Sequence, residues 1–218
     1  MTYTIKTNSN VKIVKDYKAI TIESYDKTVN DYIAKVDSLH PFNESKKFLS
    51  LLRKKALILD LGCGPGRDAK VFANKGFRVI GVDLSEKMIK AAKKRVKNAQ
   101  FKVMDTMKLD FKDKTFDGIW ASAVLLHIPK RHIIKALREV NRVLKEKGVF
   151  YLSVKEGEGE TLVPDERYGG VQKFWSFFQK SEIEEALKKA GFAIIKSLIY
   201  QKSNSYATNP WIHIICRK

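Results

Sequence analysis

The chain has 218 residues, 44% of them hydrophobic and 30% charged, which suits one folded domain with its own core. No stretch approaches the roughly 18 uninterrupted apolar residues of a membrane span. The formal net charge of +18 admits a nucleic acid or another anionic partner, or a solvated lysine-rich surface. The excess is mostly lysine, spread along the whole chain, without an arginine-rich run to fork phosphates. That distribution favours the second reading.

The N-terminal Met1-Thr2-Tyr3-Thr4-Ile5-Lys6 has no apolar leader core. The stretch to about Lys55 is polar and reads as helices placed before the core. Tyr25 to Ile33 predicts one helix, with Ser38 to Pro41 as its exit. Ser45 to Leu52 predicts another, with Phe48, Leu49 and Leu52 on one face. Strands and helices then alternate. Ala56 to Leu61 is a short apolar run suited to a strand buried on both faces. The turn Gly62-Cys63-Gly64-Pro65-Gly66 follows, then a helix from about Asp68 that stops at Gly76. Arg78 to Asp83 is the second strand, and Ser85 caps a helix to about Lys97. Phe101 to Met104 and Phe116 to Ala121 are the third and fourth strands. Pro129 opens a helix striped by Ile133, Leu137, Val140 and Leu144 and ended by Gly148. Val149 to Val154 is the fifth strand.

Residues 155–180 break the rhythm with glycines and an aromatic cluster, Phe174, Trp175, Phe177 and Phe178, expected mainly to pin this insertion to the sheet. Ser181 to Glu184 reads as a capping box, and its helix stops at Gly191. Ala193 to Tyr200 and Trp211 to Cys216 read as the last two strands. The two cysteines, Cys63 and Cys216, form no C-x-x-C pair and no zinc-spaced cluster with histidine. Both are expected reduced, without a metal site. Cys216-Arg217-Lys218 misplaces its cysteine for prenylation, so the protein is expected in the cytoplasm. Alternation of strands and helices predicts an α/β fold with a doubly wound, mostly parallel sheet, its ligand at the carboxyl ends of the strands.

The sharpest motif is Leu59-Asp60-Leu61-Gly62-Cys63-Gly64-Pro65-Gly66-Arg67. Its glycines allow a tight turn and close approach of a ligand to the backbone. A dinucleotide fingerprint would need a third glycine where Arg67 stands. The pattern instead suits a ligand without phosphate, whose ammonium the Asp60 carboxylate could hold. Asp83 ends the next strand about 20 residues on, placed to accept from both hydroxyls of a ribose. Asp105 ends the third strand.

Taken in this order, Asp60 to Gly66, Val82-Asp83, Asp105 and the Phe116-Asp117 strand resemble the motif series of class I S-adenosylmethionine-dependent methyltransferases. The resemblance implies a Rossmann-like sheet of about seven strands, the last antiparallel, an N-terminal helical lid (1–55), a cofactor core (56–154), a substrate-side insertion (155–180) and a C-terminal helix and strands (181–218). It implies that Asp60 and the backbone of Gly62, Cys63, Gly64 and Gly66 hold the methionine part of the cofactor. By the same resemblance Asp83 takes the ribose and Asp105 and Thr106 the adenine, flanked by Leu84 and Met107, and Met88 is also expected at the cofactor. Ala121 and Ser122 would lie beside the methyl donor, with Tyr32 closing over it. His127 is the placed candidate for a general base, or a residue packing locally. Tyr25, Arg167, Tyr168 and Trp175 are expected at the acceptor, where Arg167 and Tyr168 suit an acidic or hydroxylated group.

The expected reaction is methyl transfer to an oxygen or nitrogen of a small molecule, with S-adenosylhomocysteine as product. An RNA methyltransferase is the alternative raised by the charge, yet Ala121-Ser122-Ala123-Val124 stands where base amino-group enzymes carry Asn/Asp-Pro-Pro-aromatic. A nicotinamide oxidoreductase and a non-catalytic cofactor-binding protein are the other readings. The sequence sets no oligomeric state.

Overall fold

Strand β3 (Leu57–Leu61) is the seed of the fold. It is buried at all but its first position, as an apolar run must be when both sheet faces are covered. The computed structural model describes residues 3–6, 11–14, 16–201 and 208–218. Before β3 come β1 (Tyr3–Lys6), β2 (Val11–Val14), α1 (Tyr17–Lys27), α2 (Val29–Val36) and α3 (Phe42–Ser50). After it follow α4 (Arg67–Asn74), β4 (Arg78–Asp83), α5 (Glu86–Arg95), β5 (Gln100–Val103), β6 (Phe116–Ser122), α6 (Lys130–Val143) and β7 (Leu144–Lys155). The chain continues through β8 (Glu160–Asp165), β9 (Val171–Ser176), α7 (Lys180–Lys189), β10 (Ala193–Tyr200) and β11 (Trp211–Arg217).

Seven strands form the central sheet in the order β10-β11-β7-β6-β3-β4-β5. Those from β7 to β5 are parallel, and β11 runs antiparallel to both β7 and β10. The sheet is therefore the expected seven-stranded one, with its last strand reversed. Phe48, Phe72, Ile89 and Ala92 from α3, α4 and α5 bury one face. Ile133, Leu137 and Val140 of α6, with Ile183 and Leu187 of α7, bury the other. The chain winds outward from β3 to β5, then returns to β6 on the opposite side of β3. A crevice opens at this switch point, beyond the carboxyl ends of β3 and β6.

The structure corrects four local readings. The N-terminal stretch is not wholly helical, because β1 and β2 pair as an antiparallel hairpin, in keeping with their β-branched residues. The helix expected over Tyr25 to Ile33 is two helices, broken at Thr28 (φ −117°, ψ 19°). There the Thr28 hydroxyl donates back to the Ser24 carbonyl at 2.8 Å, competing with the helix ladder. Helix α6 ends before Gly148, since the Arg142 and Val143 carbonyls accept from the Lys114 and Thr115 N–H groups (2.9 and 2.8 Å). Leu144 can then extend and pair with Phe116. The capping box lies two residues earlier than expected, between Gln179 and Glu182.

The insertion is a hairpin, β8 against β9, with Phe174, Trp175 and Phe178 buried, which is the pinning role expected of them. Helix α1 packs on β9 and on α5. Among the described residues no helix is long and apolar enough to cross a membrane.

Candidate active site

The glycine-rich loop shapes one end of the crevice. Gly62, Gly64 and Gly66 all have positive φ (69°, 50° and 83°), a region costly for side chains with a Cβ. Gly62 and Cys63 donate their N–H groups to the Val82 carbonyl at 2.8 and 2.9 Å. This ties the loop to the end of β4. A Cβ on Gly62 would stand 2.3 Å from Val124 Cγ2, so Gly62→Ala is expected to cost about 2–3 kcal/mol. Urea unfolding checks this, and an unchanged midpoint would contradict it. The face of Gly64, by contrast, opens beneath the Tyr32 ring, 3.8 Å from where a Cβ would stand.

The crevice, counted with its open mouth, spans about 850 Å³. It brings together Tyr32, Gly62, Gly64, Asp83, Leu84, Met88, Asp105, Thr106, Met107, Ser122, Tyr25 and His127. Of the expected cofactor residues, Asp60, Cys63, Gly66 and Ala121 do not line it. Asp60 is buried behind the loop, where its Oδ2 accepts from the Ala69 N–H at 3.0 Å. Burial and the neighbouring Asp68 push its carboxyl well above the usual range. Cys63 and Ala121 are buried, and Gly66 is the N-cap of α4. Tyr17, Lys18 and Thr21 also line the crevice. Sequence reasoning missed them because α1 begins earlier than the helix it predicted.

Each strand-end carboxylate has a partner on both oxygens. Asp83 accepts from the Gly64 and Ser85 N–H groups, both at 2.9 Å, and burial nevertheless raises its pKa. Ser85 caps α5 by accepting from the Met88 N–H at 3.0 Å and is bonded to Asp26. Asp105 accepts from the Met107 N–H at 2.9 Å and pairs with Lys18 of α1 at 2.6 Å. Burial opposes ionisation there, but the Lys18 bond holds the carboxyl below its usual value.

His127 follows β6 on a short 3-10 turn. Its Nδ1–H donates to the Phe174 carbonyl at 2.7 Å. Nε2 is left to accept from the Tyr25 hydroxyl at 2.9 Å. Burial, reinforced by the Lys173 and Lys155 charges, pulls its pKa down to about 3, so the ring is neutral at physiological pH.

A second chamber adjoins the first, and the two share Tyr25, Tyr32, Ser122 and Ala123. Ala123 holds a left-handed φ of 58° there, a strained backbone of the kind found at binding sites. This chamber gathers Arg167, Tyr168 and Trp175, the residues expected at the acceptor, with Tyr25 on the shared wall. It also holds Lys155, Lys173, Arg67 and His40, which the sequence reading did not assign. His40, expected in a loop, lies there but is buried. Its ring donates to Asp68 Oδ1 at 2.8 Å. Asp68 also accepts from Arg67 (2.6 and 3.0 Å) and from the Trp120 indole at 2.7 Å. Burial alone would raise its pKa, but Arg67 and His40 hold it below the usual carboxylate range.

The crevice fits a cationic nucleoside. Its charged residues are Asp83, Asp105 and Lys18, and Lys18 is already committed to Asp105. Leu84, Met88 and Met107 supply apolar walls, and the open face of Gly64 supplies a place for close backbone approach. Sheet order and crevice together define a Rossmann-like fold of the kind that holds S-adenosylmethionine. A family model described as a methyltransferase domain matches residues 59–152. An uncharacterized protein of Methanocaldococcus jannaschii is 28% identical, the match covering 88% of this chain and 81% of that one. Demethylmenaquinone methyltransferase of Thermotoga maritima is 35% identical over 57% of this chain and 51% of its own length. The crystal structure of 1,6-didemethyltoxoflavin-N1-methyltransferase of Burkholderia thailandensis, with bound 1,6-didemethyltoxoflavin and S-adenosylhomocysteine, superposes with a TM-score of 0.75 at 22% identity. That likeness covers 99% of this chain and 94% of the other and shows a shared fold. The chain thus carries a methyltransferase domain on the Rossmann-like fold of class I S-adenosylmethionine-dependent methyltransferases. It is a methyltransferase, with S-adenosylmethionine as its cofactor.

Proposed function

We propose that the enzyme methylates an oxygen or nitrogen nucleophile of a small molecule seated in the second chamber. The observation that carries this reading is the shared wall. Tyr25, Tyr32, Ser122 and Ala123 border both chambers, so a donor in one and an acceptor in the other meet there. The relative with bound 1,6-didemethyltoxoflavin, a small molecule methylated at N1 as its name states, supports the same reading.

Bound S-adenosylmethionine supplies a methyl group already activated by its sulfonium. The chain has then to hold the cofactor, align the nucleophile and exclude water. Asp83 accepts from the ribose hydroxyls. Asp105 and Thr106 meet the adenine between Leu84, Met88 and Met107. The Gly62 and Gly64 backbone receives the methionine end. Lys18, paired with Asp105, would share that carboxylate with the adenine amino group.

His127 acts through Tyr25. With its ring neutral and its Nε2 accepting the hydrogen bond of the Tyr25 hydroxyl, it turns the phenol so that an oxygen lone pair faces the acceptor. Tyr25 can then accept a hydrogen bond from the nucleophile's O–H or N–H and hold it in line. His127→Ala and Tyr25→Phe are each expected to lower kcat by about 10-fold while cofactor affinity stays within about twofold. Wild-type turnover in both variants would leave this pair as packing alone.

The test of the function is release of S-adenosylhomocysteine in the presence of a panel of phenols, hydroxy acids and amines, with tRNA as a parallel arm. Turnover with small acceptors is the expected result. Turnover with tRNA alone would overturn it.

A further inference from the structure

The second chamber carries charge that its neighbouring acids do not balance. Arg67, Lys155, Arg167 and Lys173 line it, and among the described residues no acidic side chain does. Behind the wall Asp68 answers Arg67, while Asp165 is divided between Arg167 at 2.7 Å and Lys173 at 3.1 Å. Two acids thus stand against four cations.

Lys155 is the clearest case. It is 3% exposed, and it makes no ion pair among the described residues. Residues 1–15 and 202–207 contain no Asp or Glu. Its Nζ donates to the Thr208 hydroxyl at 2.8 Å and lies 3.6 Å above the Trp175 ring. Lys173, 0% exposed, lies 4.0 Å over Tyr168 and 4.4 Å over Tyr25. Tyr25 is a wall of the methyl-donor chamber too, so these cations stand close to where the donor and acceptor meet. Burying a lysine without a counter-ion is costly unless the site gains an anion. Burial and the Arg167 charge pull Lys155 down to about 7, and burial pulls Lys173 down to about 8 in spite of Asp165. A bound anion would reverse both shifts.

We propose that Lys155 and Lys173 are the receptor for an acidic group on the methyl acceptor, a carboxylate or a phosphate, with Trp175 and Tyr168 walling the body that bears it. This rests on the second chamber being the acceptor site. The acid group anchors against the lysines, and the nucleophile at the other end of the molecule is left facing Tyr25 and the donor.

The test is calorimetric titration of the S-adenosylhomocysteine-loaded enzyme with benzoate, phenyl phosphate and the neutral benzamide. At least one anion is expected to bind about 10-fold or more tightly than benzamide, and the tighter of the two distinguishes carboxylate from phosphate. Lys155→Met is expected to remove that preference without changing S-adenosylhomocysteine affinity. Parity of both anions with benzamide in the wild type would overturn the proposal, as would full anion preference in both Lys155→Met and Lys173→Met. The wild-type ratio decides the matter even if a variant does not fold. Failure of S-adenosylhomocysteine itself to bind would instead strike at the methyl-transfer reading.

Discussion

Asp68→Ala is expected to lower the unfolding free energy by about 3–5 kcal/mol, the usual cost of removing one partner from a buried charge network. Three groups lose their acceptor at once: the Arg67 guanidinium, the His40 ring and the Trp120 indole. Trp120 is fully buried and stacks on Tyr151 at 3.6 Å, so the disturbance reaches the middle of the sheet. The sign with pH follows from the depressed carboxyl. Its stabilisation is present above the ordinary carboxylate pKa of about 4 and is lost as pH falls through the lower folded-state value. Urea unfolding of the protein and the variant at pH 7 and at about pH 2.5, between the unfolded and folded carboxyl values, checks both parts. A loss under about 1 kcal/mol at pH 7 would show that the network contributes little.

Asp83→Ala is expected to weaken S-adenosylmethionine binding about 100-fold, or about 2.7 kcal/mol. The carboxylate does two things that alanine cannot. It faces the crevice where the ribose is proposed to lie, and it accepts from the Gly64 and Ser85 N–H groups. Losing the second function frees the glycine-rich loop and costs about 1–3 kcal/mol of stability, while the sheet persists. Calorimetry on the folded variant measures the affinity. An unchanged dissociation constant would remove Asp83 from the cofactor site.

The sheet was legible because its strands are short apolar runs closed by glycines and capped helices. Ala56 to Leu61 announces burial on both faces, Phe116 to Ala121 reads as a strand, and Ser85 announces α5. The crevice itself was legible for the same reason, since many of its lining residues lie at strand ends that the pattern already places. What stayed hidden depends on distant pairings. Arg67 and Asp68 read as an ordinary helix start, and nothing local shows that His40 and Trp120 converge on Asp68. Lys155 and Lys173 are two among 42 basic residues. Only the pairing of β8 with β9 and the fold of the insertion over β7 bury them together. Asp60 shows the converse: its place in the motif suggests direct contact, whereas in the structure its carboxylate accepts from the Ala69 N–H behind the loop. Helix α1 was obscured because it has no apolar stripe at helical spacing, and the residues it buries are the polar Thr21 and Ser24.

Isothermal titration of the purified protein with S-adenosylmethionine, with NADH as control, tests the central claim most directly. Micromolar binding of S-adenosylmethionine, weakened about 100-fold by Asp83→Ala and absent for NADH, is the expected result. Binding of neither ligand would contradict the assignment of Asp83, Asp105 and the Gly62–Gly64 turn together, leaving the fold without its cofactor chemistry.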